Sequence, residues 1–181
     1  LLDDTIVIYT SDHGDHLGER GLYLKGPMLY ESIINVGMIV RGPGIKAGAS
    51  ETAPITTLDI AATLCDYAET SLPGEAQSIS LKGCFGGDAS PHKAVFSEWD
   101  VSASRCGVQL DLRTVHRGDA KLTVELQSGD GELYDLSVDK LEMKNLWNMT
   151  EAAELQAQMT ELLWTRPGAE LTEFDIPAGV A

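Results

Sequence analysis

The sequence predicts an α/β chain in two parts: an α/β section at residues 1–92, and a small antiparallel sheet with a C-terminal helix at residues 93–181. Two patterns lead to this prediction. The apolar run Ile6–Tyr9 lacks polar alternation, which is typical of a central parallel strand covered on both faces. After residue 93, several segments alternate at a period of two, which favours an antiparallel sheet.

The first section is predicted to run as strand, loop, strand, helix and loop. A second buried strand is expected around Met38–Val40, where a Gly-Pro-Gly turn ends it. Thr57–Tyr67 carries apolar residues at helical spacing, with Thr56 or Thr57 as the expected N-cap. Residues 70–91 are rich in Gly, Ser and Pro and predict a long surface loop. The expected core-facing stripe of the helix comprises Leu58, Ala61, Ala62 and Leu64.

The second section contains four candidate strands and one candidate helix. Ser128–Gly131 predicts the hairpin turn before the last strand. Thr150–Trp164 is predicted to be an amphipathic helix, which Pro167 ends. The candidate strands are Ala94–Glu98, Gly107–Thr114, Lys121–Gln127 and Glu132–Asp135. The residues expected to pack the helix on the sheet are Leu155, Met159, Leu162 and Leu163.

The composition is acidic and moderately apolar. The chain has 181 residues, of which 43% are hydrophobic, and this is enough for one domain or two small ones. The formal net charge of −15 argues against a nucleic-acid or membrane partner, because binding to either needs a basic face. An anionic substrate would therefore need local positive charge.

The cysteines and the apolar runs bear on the compartment. Cys65, Cys84 and Cys106 have no metal-type spacing, and an odd number of cysteines fits a reducing compartment better than a disulfide framework. We therefore expect a cytoplasmic protein with small, buried thiols. No apolar run approaches the roughly 18–20 residues that span a bilayer.

Asp12, His13 and Lys25 are the candidate functional residues. Asp12 and His13 directly follow the first predicted strand, and open α/β sheets bind ligands at the carboxyl ends of their strands. A carboxylate suits a hard divalent cation, and an imidazole favours a borderline one such as manganese or zinc. Lys25 could meet an anionic substrate. The same segment also fits an ordinary turn, in which Asp12 caps the next segment and Gly14 provides a positive φ.

The surrounding sequence resembles the sulfatase family, within the alkaline-phosphatase-like superfamily. The segment TSDHGDHLGERGLYLKG is similar to the family pattern of Ser-Asp-His/Asn-Gly, Leu-Gly-Glu-His/Arg-Gly-Leu, an aromatic residue and a lysine. Two later segments, IVRGPG at Ile39–Gly44 and GELYDLSVDKLEMKNLW at Gly131–Trp147, also resemble the family. Arg20, and His13 where asparagine is common, are more similar to choline-sulfatase and phosphonate-monoester-hydrolase relatives.

The resemblance implies a fold and a site. Residues 1–92 would be the C-terminal portion of an alkaline-phosphatase-like catalytic α/β domain, and residues 93–181 its small C-terminal subdomain. Asp12 and His13 would bind a divalent metal, calcium or manganese. Lys25 would be a catalytic residue that binds the sulfate.

The resemblance also implies a nucleophile that this sequence lacks. Sulfatases carry a formylglycine, made from the cysteine of a Cys-x-Pro-x-Arg motif, and none of the three cysteines here lies in such a motif. Leu1 stands only a few residues before a predicted core strand. We therefore expect a fragment that lacks the N-terminal, nucleophile-bearing part and is inactive alone.

Three functions stay open at this stage. The leading one is hydrolysis of small-molecule sulfate monoesters by the intact protein. The second is hydrolysis of phosphonate monoesters or phosphodiesters by the same fold. The third is a truncated, non-catalytic module that forms a homo-oligomer, because Ile6–Tyr9 would expose a strand edge and an apolar face.

Other polar residues are predicted to have supporting roles. His16 is expected at the surface or behind the metal ligands, and Glu19 is expected to form a local ion pair with Arg20. His92 and His116 have no obvious carboxylate companion in the sequence, so they are predicted to be structural or exposed. Two basic residues expected on strands that face the active-site mouth are Arg113 and Lys121.

Overall fold

The computed structural model describes residues 2–72, 74, 76–103 and 107–167. Its strands are β1 Val7–Tyr9, β2 His16–Leu17, β3 Tyr23–Leu24, β4 Ile39–Arg41, β5 Val95–Val101, β6 Leu110–Arg117, β7 Ala120–Glu125 and β8 Gly131–Asp135. Its α-helices are α1 Glu31–Ile34, α2 Asp59–Tyr67, α3 Lys82–Gly86 and α4 Ala153–Leu163. Short 3₁₀ turns lie at Leu2–Asp4, Glu19–Gly21 and Thr150–Ala152. Within this part of the chain, no helix is long and apolar enough to cross a membrane.

The second section forms an antiparallel sheet with strand order β5–β6–β7–β8, and α4 packs against one face. Val115 pairs with Leu122, and Leu122 pairs with Leu133. Directly paired residues lie on the same face of a sheet, so these three side chains lie together beneath the helix. Met159 and Leu163 of α4 are fully buried against this face. The predicted sheet and C-terminal helix are thereby confirmed, although β6 and β7 differ by a few residues from the expected ranges.

The opposite face of this sheet packs against the first section rather than facing solvent. Here Tyr134 and Leu136 form a small core with Tyr30, and the Tyr30 hydroxyl donates a hydrogen bond to Glu132 Oε1 at 2.9 Å. Because α4 covers one face and residues around Tyr30 cover the other, the middle of β7 is buried on both sides.

The prediction for the first strand is wrong in two respects. β1 pairs with β4 in antiparallel rather than parallel orientation, with Ile8 opposite Val40. The two strands are not covered on both faces, and Tyr9 and Ile39 are 72% and 68% exposed. Within the described residues β1 pairs with β4 alone, so the two strands form a small separate sheet rather than part of a larger central one.

The helix predicted at Thr57–Tyr67 forms as α2, but its buried face is polar. Leu58 and Leu64, expected to face the core, are 59% and 51% exposed, whereas Asp59 and Thr63 are fully buried. Their polar groups are bonded: Asp59 Oδ2 lies 2.6 Å from His92 Nε2. The predicted surface loop 70–91 contains α3, and the loop prediction is therefore wrong over that part.

A buried charge network joins the two sections. Lys121 on β7 is 1% exposed, and its ammonium group pairs with the carboxylate of Glu142, which is 2% exposed. The same ammonium donates to the Leu29 carbonyl at 2.8 Å and lies 3.3 Å from Glu31 Oε1. Glu142 in turn accepts a hydrogen bond from the Glu31 backbone N–H at 2.8 Å. The start of α1 is thus fixed to the C-terminal sheet.

Substitution of Glu142 by glutamine tests this network. Glu142→Gln keeps the side-chain shape but leaves the buried Lys121 charge with only Glu31 as an ionic partner. We expect a loss of roughly 3 kcal/mol in unfolding free energy, since breaking a buried pair leaves an uncompensated charge. Urea denaturation measures it, with Lys144→Ala as the control.

The control removes an exposed pair, in which Lys144 and Glu151 are 63% and 65% exposed. It should cost under about 1 kcal/mol. Equal losses for Glu142→Gln and Lys144→Ala would contradict a structural role for the buried network.

Candidate metal and anion site

The predicted site residues lie in one loop, residues 11–25, which leaves β1 and contains the β2–β3 hairpin. His16 pairs with Leu24 in that hairpin, so the loop turns back on itself. This turn brings Lys25 next to His13: Lys25 Nζ lies 2.9 Å from His13 Nε2. Asp12 Oδ2 lies 3.7 Å from the same nitrogen. The structure therefore brings together all three residues that the sequence singled out.

The hydrogen bonds of His13 define which ring nitrogen can bind a metal. His13 Nδ1 lies 2.8 Å from the Gly14 carbonyl oxygen, which can only accept, so Nδ1 carries the proton. In the neutral ring, Nε2 then has a free lone pair, and this lone pair accepts from Lys25. A histidine whose second nitrogen is bonded to a backbone carbonyl is a typical oriented metal ligand. The donor chemistry of His13 thus fits a divalent cation.

Asp12 presents an ionised carboxylate to solvent. Its side chain is 86% exposed, whereas that of His13 is 32% exposed. The hydrogen bond from the His13 backbone N–H lowers the pKa of Asp12. The Asp12 Oδ1 atom takes part in this local bonding, while Oδ2 is the atom nearest the His13 ring.

Two ligands do not complete a metal site. Among the described residues, no group of three or more His, Cys, Asp or Glu side chains is arranged to hold a metal ion. Asp12 and His13 have donor atoms that suit a divalent cation, and a complete site would need further donors. Their assignment as ligands stays a prediction, as does that of Lys25.

A backbone contact holds the ligand loop on α1. The Gly14 N–H donates to the Ile33 carbonyl at 2.8 Å. A Cβ atom on Gly14 would lie 2.0 Å from the Ser32 carbonyl oxygen. Glycine is therefore required by the close approach of two backbones, and the positive φ expected for Gly14 is absent.

His16 is a supporting residue, and its predicted surface location is wrong. It is 1% exposed, its Nδ1 lies 2.8 Å from the Ser32 hydroxyl, and its ring makes an edge contact with Tyr30. Successive side chains of a strand point to opposite faces, so His16 points inward while its neighbour Leu17 points to solvent. The alternative expectation, a position behind the candidate metal ligands, stays a prediction.

The predicted ion pair between Glu19 and Arg20 does not form. Glu19 Oε2 accepts the Leu17 backbone N–H at 2.6 Å. The Arg20 guanidinium lies 3.9 Å from the centre of the Tyr30 ring and donates to the Leu141 carbonyl at 3.2 Å. Arg20 has a φ of 59°, which turns its side chain away from Glu19. Sequence spacing alone gave no signal for contacts more than 100 residues away.

The remaining histidines have carboxylate partners that the sequence did not reveal. His92 is bonded to the buried Asp59, and His116 Nδ1 lies 4.0 Å from Glu31 Oε1. Their predicted structural role agrees with these contacts, while the expected lack of carboxylate companions is wrong. Both partners are distant in sequence, so neither pairing is visible as a motif.

The two basic residues expected near the active-site mouth differ in direction. Lys121 faces the first section, as described above. Arg113 lies on the same face as Val115, beneath α4, and its Nη1 lies 2.6 Å from Asp100 Oδ1 and 2.8 Å from Asp111 Oδ1. A hydrogen bond with the Asp100 carboxyl raises the pKa of Asp111. Arg113 thus points away from the first section, and a position of either residue at the active-site mouth stays a prediction.

A cavity of about 1140 Å³ opens beside the ligand loop. Asp12 and His13 border it on one side, and Phe96 and His116 of the C-terminal sheet border it on another. Both sections of the chain thus line the space next to the candidate ligands.

Comparison with known proteins identifies the family. Residues 18–167 match the model of the family described as N-sulphoglucosamine sulphohydrolase, C-terminal. The chain belongs to this sulfatase family. The segments matched include the second half of the ligand loop and the C-terminal sheet with its helix.

Curated sulfatases and solved structures are similar to most of the chain. An N-acetylglucosamine-6-O-sulfatase of Bacteroides thetaiotaomicron is 32% identical over 168 residues, which cover 90% of this chain and 30% of that enzyme. A choline-sulfatase of Rhizobium meliloti is 34% identical over 163 residues, covering 88% and 30%. A solved structure in complex with its substrate D-glucosamine-2-N,6-O-disulfate has a TM-score of 0.80 at 29% identity, covering 89% of this chain and 33% of that one.

The chain thus spans about a third of the length of the sulfatases it matches. A phosphonate monoester hydrolase from Silicibacter pomeroyi also superposes, with a TM-score of 0.78, over 89% of this chain and 34% of that one. At 21% identity this likeness shows the fold alone. The α/β fold predicted from the sequence, with its antiparallel sheet and C-terminal helix, agrees with these sulfatase structures.

Substitution of Gly14 tests the backbone support of the site. Gly14→Ala should push the loop away from α1, because the added methyl group cannot share space with the Ser32 carbonyl. We expect displaced His13 and Lys25 resonances in NMR spectra and a lower melting temperature. Gly37→Ala is the matched control, since a Cβ there meets nothing within 4 Å. Unchanged His13 and Lys25 resonances in Gly14→Ala would contradict this support.

Proposed function

We propose that this chain is the C-terminal part of a metal-dependent sulfatase that hydrolyses sulfate monoesters of small molecules. Asp12 and His13 would supply two ligands to a divalent metal, calcium or manganese. Lys25 would bind the sulfate as a catalytic residue. The observation that carries the proposal is the approach of the Asp12 carboxylate and the Lys25 ammonium to His13 Nε2, at 3.7 and 2.9 Å.

Lys25 Nζ lies within hydrogen-bond distance of His13 Nε2, the nitrogen that would bind the metal. If that lone pair were bound to a metal, the Lys25 ammonium would be left to bind an anion beside it. A divalent metal would supply Lewis-acid stabilisation of negative charge, and a fixed cation such as Lys25 adds to it. The overall acidity of the chain makes this local positive charge necessary for a sulfate ester to bind.

The formylglycine nucleophile is expected in an N-terminal part outside this sequence. The described residues then provide two proposed metal ligands, and none of the three cysteines lies in the motif that yields the formylglycine, so we propose that the chain is inactive alone. Family membership supports a hydrolase of the sulfatase type, while metal dependence and substrate belong to the proposal.

A phosphonate monoester or phosphodiester hydrolase is the alternative within the same fold. The likeness to the phosphonate monoester hydrolase concerns the fold, and the curated relatives above 30% identity are sulfatases. Turnover of p-nitrophenyl sulfate against a phenyl phosphonate monoester by the full-length protein separates the two. A preference for the phosphonate would overturn the sulfatase proposal.

Substitutions of Asp12 and Lys25 in the full-length protein test the site. Asp12→Ala should lower bound metal and turnover, and Lys25→Ala should lower turnover by about 10²–10³-fold while metal content is retained, since one preformed charge-stabilising group is lost. Metal analysis and sulfate-release assays measure both effects. Lys93→Ala, which changes an exposed lysine outside the loop, is the control. Unchanged turnover and metal content in Asp12→Ala would contradict the assignment.

We further propose that the isolated chain self-associates through β1 and β4. Val7, Tyr9 and Ile39 are exposed on this two-stranded sheet, and a strand edge with apolar side chains favours pairing with another chain. Light scattering at micromolar concentration should show a dimer or larger species. Ile39→Lys should shift it toward monomer, whereas Leu58→Lys, at the N-cap of α2, should not. A monomeric wild-type chain would contradict this proposal.

A further inference from the structure

The side chain of Arg20, in the ligand loop, contacts both Tyr30 of the first section and Tyr134 of the C-terminal sheet. It lies between His13 and Lys25 in sequence, in the short turn Glu19–Gly21. Its guanidinium stacks 3.9 Å above the Tyr30 ring centre and lies 5.6 Å from that of Tyr134. It donates hydrogen bonds to the Leu141 carbonyl at 3.2 Å and to the Tyr134 hydroxyl at 3.3 Å.

The surface that receives Arg20 is rigid. Tyr134 is 1% exposed and Tyr30 is 8% exposed, and their rings meet edge to face at 6.3 Å. Tyr30 is also held by its hydrogen bond to Glu132. The other side of the same ligand loop reaches Tyr30 through His16, at 5.9 Å between ring centres. Two side chains of the loop thus converge on one fixed aromatic ring.

The backbone at Arg20 indicates that this contact is maintained against a local cost. Arg20 has a φ of 59°, in the left-handed region that non-glycine residues seldom adopt. Leu24, directly before Lys25, has a φ of 64°. The loop therefore bends sharply at two points, and the bend at Arg20 coincides with the hydrogen bonds of its side chain to β8 and to the segment after β8.

We propose that Arg20 is a positioning residue for the site. It clamps the middle of the ligand loop on Tyr30, Tyr134 and Leu141, and so fixes the spacing between His13 and Lys25 at the two ends of the loop. It does not touch the substrate or the metal. The proposal rests on the proposed function for its catalytic consequence, and on the geometry alone for its structural one.

A planar guanidinium is needed for this clamp. Arginine can stack on an aromatic ring and donate in two directions in its plane, whereas the lysine ammonium is a compact, strongly hydrated charge. Arg20→Lys keeps the charge but loses the stacking plane, so it should behave like Arg20→Ala. Arg166 provides a matched control, because it stacks 4.9 Å from the Trp164 ring and pairs with Glu98 at the end of α4.

The test uses two measurements. NMR spectra of this chain report the His13 ring and Lys25 side-chain resonances and the contact between them. In the full-length protein, kcat and KM for p-nitrophenyl sulfate are compared with melting temperatures. We expect Arg20→Ala and Arg20→Lys to lose the His13–Lys25 contact and to lower kcat/KM by about 10- to 100-fold, since small misplacements of reacting groups have such effects. Arg166→Ala should lower the melting temperature at least as much, with unchanged kcat/KM.

The outcomes separate the two proposals. An intact His13–Lys25 contact in Arg20→Ala would overturn the positioning role, as would full rescue by Arg20→Lys. An equal fall of kcat/KM in Arg166→Ala would overturn it too, because general destabilisation would then explain the loss. If the contact is lost while the wild-type full-length protein hydrolyses no sulfate ester, the positioning role is supported and the sulfatase proposal fails.

Discussion

The fold of this chain depends on a buried positive charge, that of Lys121, which must be neutralised between the two sections. An isolated ammonium in the interior costs several kcal/mol, so β7 can be buried on both faces only while Glu142 and Glu31 approach it. Glu31 lies at the start of α1, and the end of α1 accepts the Gly14 N–H. The ion pairs of Lys121 in the C-terminal sheet are therefore connected, through the single turn of α1, to the loop that carries Asp12 and His13.

This connection explains why the candidate site is ordered on a section with little core of its own. The β1–β4 pair is exposed, and the fully buried apolar cluster lies between the C-terminal sheet and α4. The ligand loop is held instead by polar and aromatic contacts: Gly14 on Ile33, His16 on Ser32, and Arg20 on Tyr30. Such contacts have directional geometry, which suits a loop that must keep an imidazole, a carboxylate and an ammonium close together.

Local patterns in the sequence predicted the parts of the fold whose cause is local. The β-type pattern of β6–β8 and the helical spacing in α4 reflect the packing of the helix on the sheet, so these elements form within a few residues of the expected ranges. The core-facing side predicted for α2 is wrong because Asp59 turns inward to contact His92, which lies 33 residues away in the sequence. β1 was predicted parallel and buried because apolar runs do not encode the number of neighbouring strands. The position of Asp12 and His13 after a strand indicated the site. Arg20, Tyr30 and Lys121 instead contact residues about 100 positions away in the sequence, and no local motif shows such contacts.

The most direct test of the central claim is a crystal structure of the full-length protein grown with manganese and sulfate. We expect an anomalous peak for manganese within bonding distance of the Asp12 carboxylate and His13 Nε2. Lys25 Nζ should then point away from His13 and toward a sulfate oxygen. A metal bound by other residues, or Lys25 still paired with His13 while sulfate occupies the site, would contradict it.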